Sequence, residues 1–415
     1  MDVLISGASI AGPALAYWLG RFGFHPTVVE IAPALRTGGN AVDFRGPLHL
    51  GLLRRMGVLE ALEQVQTGGT AMRFEDAAGH RLMELPREFA GGDIEVLRGD
   101  LSRVLAEAAG NSAEYLFGDT VTAMTETPAG VEVTFRSGRE HRFDLVIGAD
   151  GLHSGVRGLI FGPESAHTVW LGGYIAVAPV PHREDLHGSM LGFTGVNRLV
   201  GVYSARHMAD ARAFFLFRPP AALSYDRRDQ AQLKHILRTI FADLGGDVRR
   251  LLDDVDRSGP CYFDSITQLR LDTWSRGRVT LVGDAGYCPG PAVGGSTSLA
   301  VVGAYILAGE LALAGGDHAI AYPAYERAIS SYVQRSRAFA KTMAKRLVPA
   351  NRAQAWAMTS GVQLLTRIPP PVLRTLTRFG GGLGLHESVE PKDYPTLVEP
   401  ASPDSHSRTF ELKRD

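Results

Sequence analysis

The chain has 415 residues, 45% hydrophobic and 21% charged, with a formal net charge of −1. That length suits two domains, or one domain with a large insertion, and the composition is that of an ordinary soluble globular protein. The near-zero charge offers no basis for a nucleic-acid partner, and Cys261 and Cys288 are too few for a disulfide framework or a structural zinc site. The opening "MDVLIS" enters a strand pattern with no basic leader. The longest apolar segment, Leu299 to Leu313, contains Glu310 and falls short of the roughly 20 residues that span a bilayer. A cytoplasmic protein without stable membrane insertion is expected.

In chain order, "VLIS" (3–6) reads as a strand, "GASIAG" (7–12) as a turn, "PALAYWLGRFG" (13–23) as a helix and "PTVVE" (26–30) as a second strand. This is the start of a βαβ unit. Residues 121–143 alternate apolar and polar around "PAG" and "SG", a β-meander. "DLVIGADG" (144–151) and "RVTLVGDAG" (278–286) are further apolar runs that end in small residues and an acid. Together with "PTVVE" (26–30), which also ends in an acid, they predict parallel strands delivering their carboxyl ends to one crevice, the ligand edge of an open α/β sheet. Between them, residues 165–275 carry the candidate strands "GGYIAVAPV", "GSMLGFTG", "RLVGVYSA" and "ARAFFLFRPP", with one helix near 226–244. Residues 298–380 read as mostly helical, interrupted by "RIPPP" (367–371), and the tail after Tyr394 is polar.

Gly7-x-Ser9-x-x-Gly12 follows a strand and opens a helix. Gly7 suits the tight turn and Gly12 suits close helix–strand packing, while the amides around Ile10 and Ala11 and the helix dipole can receive a pyrophosphate. Ser9 occupies the position normally held by a second glycine. Glu30, at the end of the second strand, is placed to accept from a ribose 2′-hydroxyl, and an acid there favours FAD or NAD over NADP. A tight strand–helix turn without a nucleotide explains this motif alone about equally well.

The three motifs in order carry a family resemblance. Gly7-x-Ser9-x-x-Gly12, then Asp150-Gly151 with Ser154 and Arg157, then "GDAGYCPGPAVGGS" (283–296) resemble the class A flavin-dependent monooxygenases, the aromatic-hydroxylase group built like p-hydroxybenzoate hydroxylase. "GGNAVDF" (38–44) resembles the tetracycline-modifying branch. The resemblance spans about residues 1–345. It implies an α/β fold with a discontinuous Rossmann-like FAD-binding domain (1–164 and 276–345) and an inserted antiparallel substrate-binding sheet (165–275). A C-terminal helical segment (346–395) and a loosely ordered tail (396–415) complete the expected organisation.

Residue by residue, the resemblance places Asp284 on the FAD ribityl chain and Arg98 at the ribityl–pyrophosphate region, with Arg36 in the same anionic neighbourhood. Val121 joins the cofactor surroundings. Pro291, Gly294, Gly295 and Ser296 face the flavin edge. Asp150 and Arg157 join the flavin–nicotinamide motif and its supporting ion pair, with a structural strand-end role as the alternative. The family's histidine three residues after the motif aspartate is Tyr287 here, and its asparagine is Ser298. Both changes preserve small residues and backbone amides around the flavin.

NADH or NADPH would reduce FAD, and O2 would form a flavin C4a-hydroperoxide that hydroxylates an electron-rich aromatic or polyketide-like substrate. Candidate substrate contacts are Arg45, Tyr174, Met190, Phe193, Phe215, Phe217 and Gln268, with Arg218 as a further polar candidate. Period-2 alternation puts Phe215 and Phe217 on one face, and core packing competes with a substrate role for each aromatic. Scattered histidines such as His49, His141 and His235 read as solvated or packing residues, and no metal cluster is expected. A non-oxidative FAD enzyme of cyclisation or rearrangement, and a non-enzymatic nucleotide-binding protein, are the alternatives.

Overall fold

The computed structural model describes residues 1–67, 71–75, 80–85, 92–186, 189–204, 208–291, 295–351, 353–354 and 389–394. The first half runs β1 (Asp2–Ser6), α1 (Ala11–Arg21), β2 (His25–Glu30), β3 (Ala41–Phe44), α2 (Gly46–Arg55), α3 (Leu59–Gln64), β4 (Ala71–Glu75), β5 (Arg81–Leu85), β6 (Ile94–Leu97), α4 (Arg98–Ala109), β7 (Glu114–Phe117), β8 (Val121–Thr127), β9 (Gly130–Phe135), β10 (Glu140–Phe143), β11 (Leu145–Gly148) and α5 (Gly155–Phe161). It continues with β12 (Thr168–Val180), β13 (Ser189–Gly195), β14 (Arg198–Ser204), β15 (Ala211–Phe217), α6 (Gln230–Phe241), α7 (Gly246–Arg257), β16 (Tyr262–Leu269), β17 (Ser275–Arg276), β18 (Val279–Leu281), the single turn α8 (Asp284–Tyr287), α9 (Ser296–Leu313) and α10 (His318–Arg346).

The three apolar runs that end in an acid, β2, β11 and β18, share one sheet, with β1 between β2 and β11. Strand order in the first sheet is β17-β18-β11-β1-β2-β7. β1 pairs in parallel with β2 and β11, and β11 with β18, so Ser6, Gly148 and Leu281 finish at one edge. The chain leaves β1 toward β2 and later fills the other flank with β11 and β18. β1 therefore borders a topological switch point, where open α/β sheets bind ligands. The expected meander is the separate antiparallel sheet β10-β9-β8.

The second sheet has the order β16-β12-β15-β14-β13-β4-β5. It departs from the expected division of the chain in one respect. β4 and β5, from the N-terminal third, extend this sheet through parallel pairing of β4 with β13. That long-range pairing leaves no local sequence signal. The single helix expected near 226–244 is α6, and a second helix, α7, follows it; its Val248, Leu251, Leu252 and Val255 share one buried face.

The two faces of the second sheet are covered differently. Tyr174, Phe193, Phe215 and Phe217 pack with Leu233, Leu237 and Phe241 of α6 and with the apolar stripe of α7. The opposite face presents Ile175, Val177, Met190, Leu199, Leu216 and Ile266 to Ala340, Ala344 and Val348 at the end of α10.

Among the described residues, α9 is the one helix long and apolar enough to cross a membrane, and it is instead mostly buried within the fold. α1 and α10 pack against it. Residues 389–394 are strapped onto it: Tyr394 Oη donates to Glu310 at 2.7 Å, Lys392 pairs with Glu310 at 2.7 Å, and Arg55 pairs with Asp393 at 2.7 Å. The predicted helices beyond residue 354 and the polar tail lie outside the described residues.

Tyr287 shows how tightly this core is fitted. Its ring is fully buried, 4.8 Å from Trp274 between centroids, and its hydroxyl is hydrogen-bonded to that of Tyr325 at 3.1 Å. A Cβ on Gly303 of α9 would lie 2.0 Å from the Tyr287 hydroxyl oxygen. Overpacking costs about 1–3 kcal/mol, offset in part by roughly 1 kcal/mol of alanine helix preference. Gly303→Ala is expected to lower the unfolding free energy by about 1–2 kcal/mol in urea titration, and Tyr287→Phe in the same chain to recover part of the loss.

Candidate functional site

The site forms where β1, β11 and β18 end. Gly7 has φ +110°, and a Cβ there would meet the Ala149 carbonyl oxygen at 2.6 Å. A Cβ on Gly12 would stand 1.9 Å from the Gly7 carbonyl oxygen. The turn therefore closes only with glycine at both ends. Glu30 holds it from outside, accepting from the Ala8 amide at 2.8 Å and the Ala32 amide at 3.0 Å. Ser102 donates to the Ala8 carbonyl at 2.9 Å. Ile10 and Ala11 begin α1, which has no side-chain cap and no acid in its first turn. Its leading amides and dipole are thus available to an anion.

Arg98 opens α4 and donates through Nε to Ser9 Oγ at 3.0 Å. The following residue, Gly99, lets the loop of Arg36 to Gly38 lie on the helix start: a Cβ on Gly99 would come within 2.6 Å of the Gly38 amide nitrogen. Arg36 itself is exposed on that loop. Arg98 also acts on Asp284, the first residue of α8. Burial pushes the Asp284 carboxyl above the usual carboxylate range, and the Arg98 charge pulls it back. Gly295, in the left-handed conformation at φ +90°, caps α9, so Ser296 starts that helix beside Asp284. Pro291 is partly exposed in the same loop, Gly294 lies outside the described residues, and Val121 is buried at the head of β8.

Asp150 and Ser154 form an N-terminal cap for α5. The Ser154 hydroxyl donates to Asp150, whose other oxygen accepts from the Val156 amide at 3.1 Å, and the Arg157 amide donates to Ser154 Oγ at 2.9 Å. The Arg157 side chain, 1% exposed, reaches the Ala285 carbonyl at 3.1 Å, the Leu152 carbonyl at 2.5 Å and Glu164 at 3.0 Å. The Asp-Gly motif is thereby fastened to the residue after Asp284, which is the structural alternative for these two residues.

A family model described as an FAD binding domain matches residues 1–347. The chain belongs to this FAD-binding family. Relatives include a flavin-dependent monooxygenase of Legionella longbeachae, 38% identical over 343 residues (82% of this chain, 87% of the relative). An uncharacterized protein of Mycobacterium tuberculosis is 44% identical over 342 residues (80% and 91%). Among solved structures, tetracycline destructase Tet(55) superposes with a TM-score of 0.80 at 33% identity, covering 94% of this chain and 98% of its own. The protein is thus a flavoprotein of the monooxygenase type.

The residues present fit FAD. The Gly7–Gly12 cradle, the uncapped start of α1 and the Arg98 guanidinium form a donor set for a pyrophosphate, while Glu30 and Asp284 offer acceptors to hydroxyl groups.

Several expected substrate contacts are corrected. Tyr174, Phe193, Phe215 and Phe217 occupy the helix-covered face and serve as core, because that face of the sheet is sealed by α6 and α7. Gln268 is a staple: its Nε2 donates to the carbonyls of Pro289 at 3.2 Å and Arg337 at 3.0 Å. Arg218 donates to the Ala344 carbonyl near the end of α10 at 2.7 Å. Arg45 pairs with Asp43 at 2.5 Å and remains near the surface. Met190 lies on the other face, which is the side toward α10. Tyr287 points into the core, away from the loop, and His49 is fully buried against Tyr332 at 3.1 Å, a packing residue whose pKa burial lowers.

The sequence reading missed His153, although it stands inside the "DGLHSGVR" motif. Its Nδ1 lies 3.0 Å from Glu164 and its Nε2 2.8 Å from Asp264 of β16, so it ties the Asp-Gly turn to the second sheet. Both ring nitrogens face carboxylates, which fixes the imidazolium form. Against the cost of burial, the hydrogen bonds to Asp264 and Glu164 raise its pKa from 6.5 to about 9. A raised folded-state pKa stabilises the fold below the unfolded value and loses that contribution as pH climbs through the folded one. Stability in urea is expected to decline between pH 6.5 and about 9, and His153→Gln to flatten that decline; an unchanged slope in the variant would assign it to other groups.

Proposed function

We propose that the protein takes electrons from NADH or NADPH and uses O2 to hydroxylate an electron-rich, multi-ring small molecule. The observation that carries this reading is the convergence of the glycine turn, Arg98, Asp284 and the start of α9 on one sheet edge, in a chain of the monooxygenase family. When bound, FAD supplies the oxygen chemistry. The chain positions it. Gly7, Ser9, Ile10, Ala11 and Gly12 receive the pyrophosphate with Arg98, Glu30 takes a ribose hydroxyl, and Asp284 takes a ribityl hydroxyl. Arg36 and Val121 flank these groups. Pro291, Gly295 and Ser296 line the ring edge, and the α9 amides and dipole stabilise negative charge there.

The substrate lies against the sheet face that carries Met190, whose partly buried neighbours include Met72, Tyr203 and Phe214. That broad apolar lining suits fused rings, and it can exclude water from the reacting groups. The likeness to tetracycline destructase Tet(55), at 33% identity, supports a polycyclic substrate.

In a panel of phenols, polycyclic members are expected to stimulate NADH or NADPH consumption and to gain one oxygen atom by mass spectrometry. Stimulation by simple benzoates alone would overturn the substrate class. Arg98→Ala is expected to weaken FAD retention by about tenfold or more, the worth of a charged hydrogen-bond donor, measured as flavin absorbance surviving gel filtration. Gly12→Ala, which presses a Cβ against the Gly7 carbonyl, should retain still less.

A further inference from the structure

Helix α10 carries a guanidinium that nothing among the described residues neutralises. Nε and Nη2 of Arg337 are shut off from solvent and have no hydrogen-bond partner. A buried cation in that condition costs free energy until a counter-charge arrives. A second cation stands close by. Arg270 follows β16 and donates through Nε to Gln268 Oε1 at 3.2 Å, while Gln268 Nε2 donates to the Arg337 carbonyl at 3.0 Å and the Pro289 carbonyl at 3.2 Å. Gln268 thus ties the Arg270 side chain to the backbone of α10 at Arg337 and to the loop after Cys288.

No carboxylate offsets them. Neither arginine forms an ion pair among the described residues. Burial and then the Arg270 charge lower the Arg337 pKa, and the group that opposes them is Cys288. Burial holds the Cys288 thiol far above its ordinary pKa, so it stays uncharged. Arg337 is half-buried and Arg270 exposed, each feels the other's charge with no anion among the described residues between them, and guanidinium forks match the paired oxygens of phosphate and carboxylate.

We propose that Arg337 and Arg270 form a binding site for an oxyanion, a phosphoryl or carboxylate group carried by a small soluble ligand. The site is separate from the glycine turn and stands on these side chains without the flavin reading. In its empty form the half-buried Arg337 is disfavoured first by burial and then by the Arg270 charge, which a bound anion would offset.

Inorganic phosphate is the probe, in thermal unfolding of the full chain at constant ionic strength against chloride. The wild-type midpoint is expected to rise with phosphate concentration as a single-site linkage requires. Arg337→Met is expected to unfold at a higher temperature than wild type without phosphate and to lose the phosphate-dependent rise. Arg270→Gln should weaken phosphate binding about tenfold, the loss of one charged donor. Arg337→Gln repeats the phosphate measurement in case the methionine packs badly.

Steady-state kinetics then identify the source. A KM for NADPH raised about tenfold in Arg337→Gln, with kcat and the KM for NADH unchanged, assigns a 2′-phosphate. A raised KM for carboxylated substrates assigns the carboxylate, and no change in either assigns free phosphate. A wild-type midpoint indifferent to phosphate, or a rise that persists in both Arg337 variants, overturns the site.

Discussion

The Arg157 guanidinium, 1% exposed, donates to the carbonyls of Leu152 and Ala285 and pairs with Glu164. Leu152 follows the end of β11 and Ala285 follows the end of β18, so one side chain fixes the distance between two motifs that lie more than a hundred residues apart. Asp284 precedes Ala285, and its setting beside Arg98 and Ser296 depends on that fixed distance. A charge buried so deeply survives because its donors meet backbone carbonyls and a carboxylate that the fold has already placed. The same carboxylate, Glu164, also receives His153, which reaches Asp264 in the second sheet. The ligand edge of the first sheet and the second sheet are thereby referred to one hydrogen-bonded frame.

The centre of the first sheet was legible because β1, β2, β11 and β18 each end on a short-range chemical signal. β1 ends on the glycine turn of Gly7 and β2 on Glu30, while Gly148-Ala149-Asp150 and Gly283-Asp284 combine small residues with an acid, and a strand leading into such a turn has few other readings. In the candidate site, Gly7 and Gly12 are a local motif whose spacing is nearly the whole of its geometry, whereas Arg98 and Asp284 were singled out by the family resemblance, and the contact of Arg98 with Ser9 bridges 89 residues. The second sheet was legible as strands and not as faces. Period-2 alternation put Phe215 with Phe217 correctly, but alternation is silent on which side the helices will cover. Here α6 and α7 cover the aromatic side, so the residues that looked most like a substrate lining became core.

Two features had no sequence signal of their own. β4 and β5 join a sheet whose other strands begin almost a hundred residues later, and no local pattern specifies a partner at that separation. Gln268 read as a polar group facing a cavity, whereas its amide is consumed by the carbonyls of Pro289 and Arg337. The departures from the family pattern in the loop had opposite fates. Ser296 and Ser298 remain at the start of α9, but Tyr287 turns inward and joins Trp274 and Tyr325.

That inward turn links two positions in the history of the sequence. The Tyr287 hydroxyl occupies the space in which a side chain at 303 would begin. A lineage that carries a shorter residue at 287 is free to accept alanine or serine at 303. Positions 287 and 303 are therefore energetically coupled: alanine at 303 carries a packing penalty beside tyrosine that a shorter residue at 287 removes.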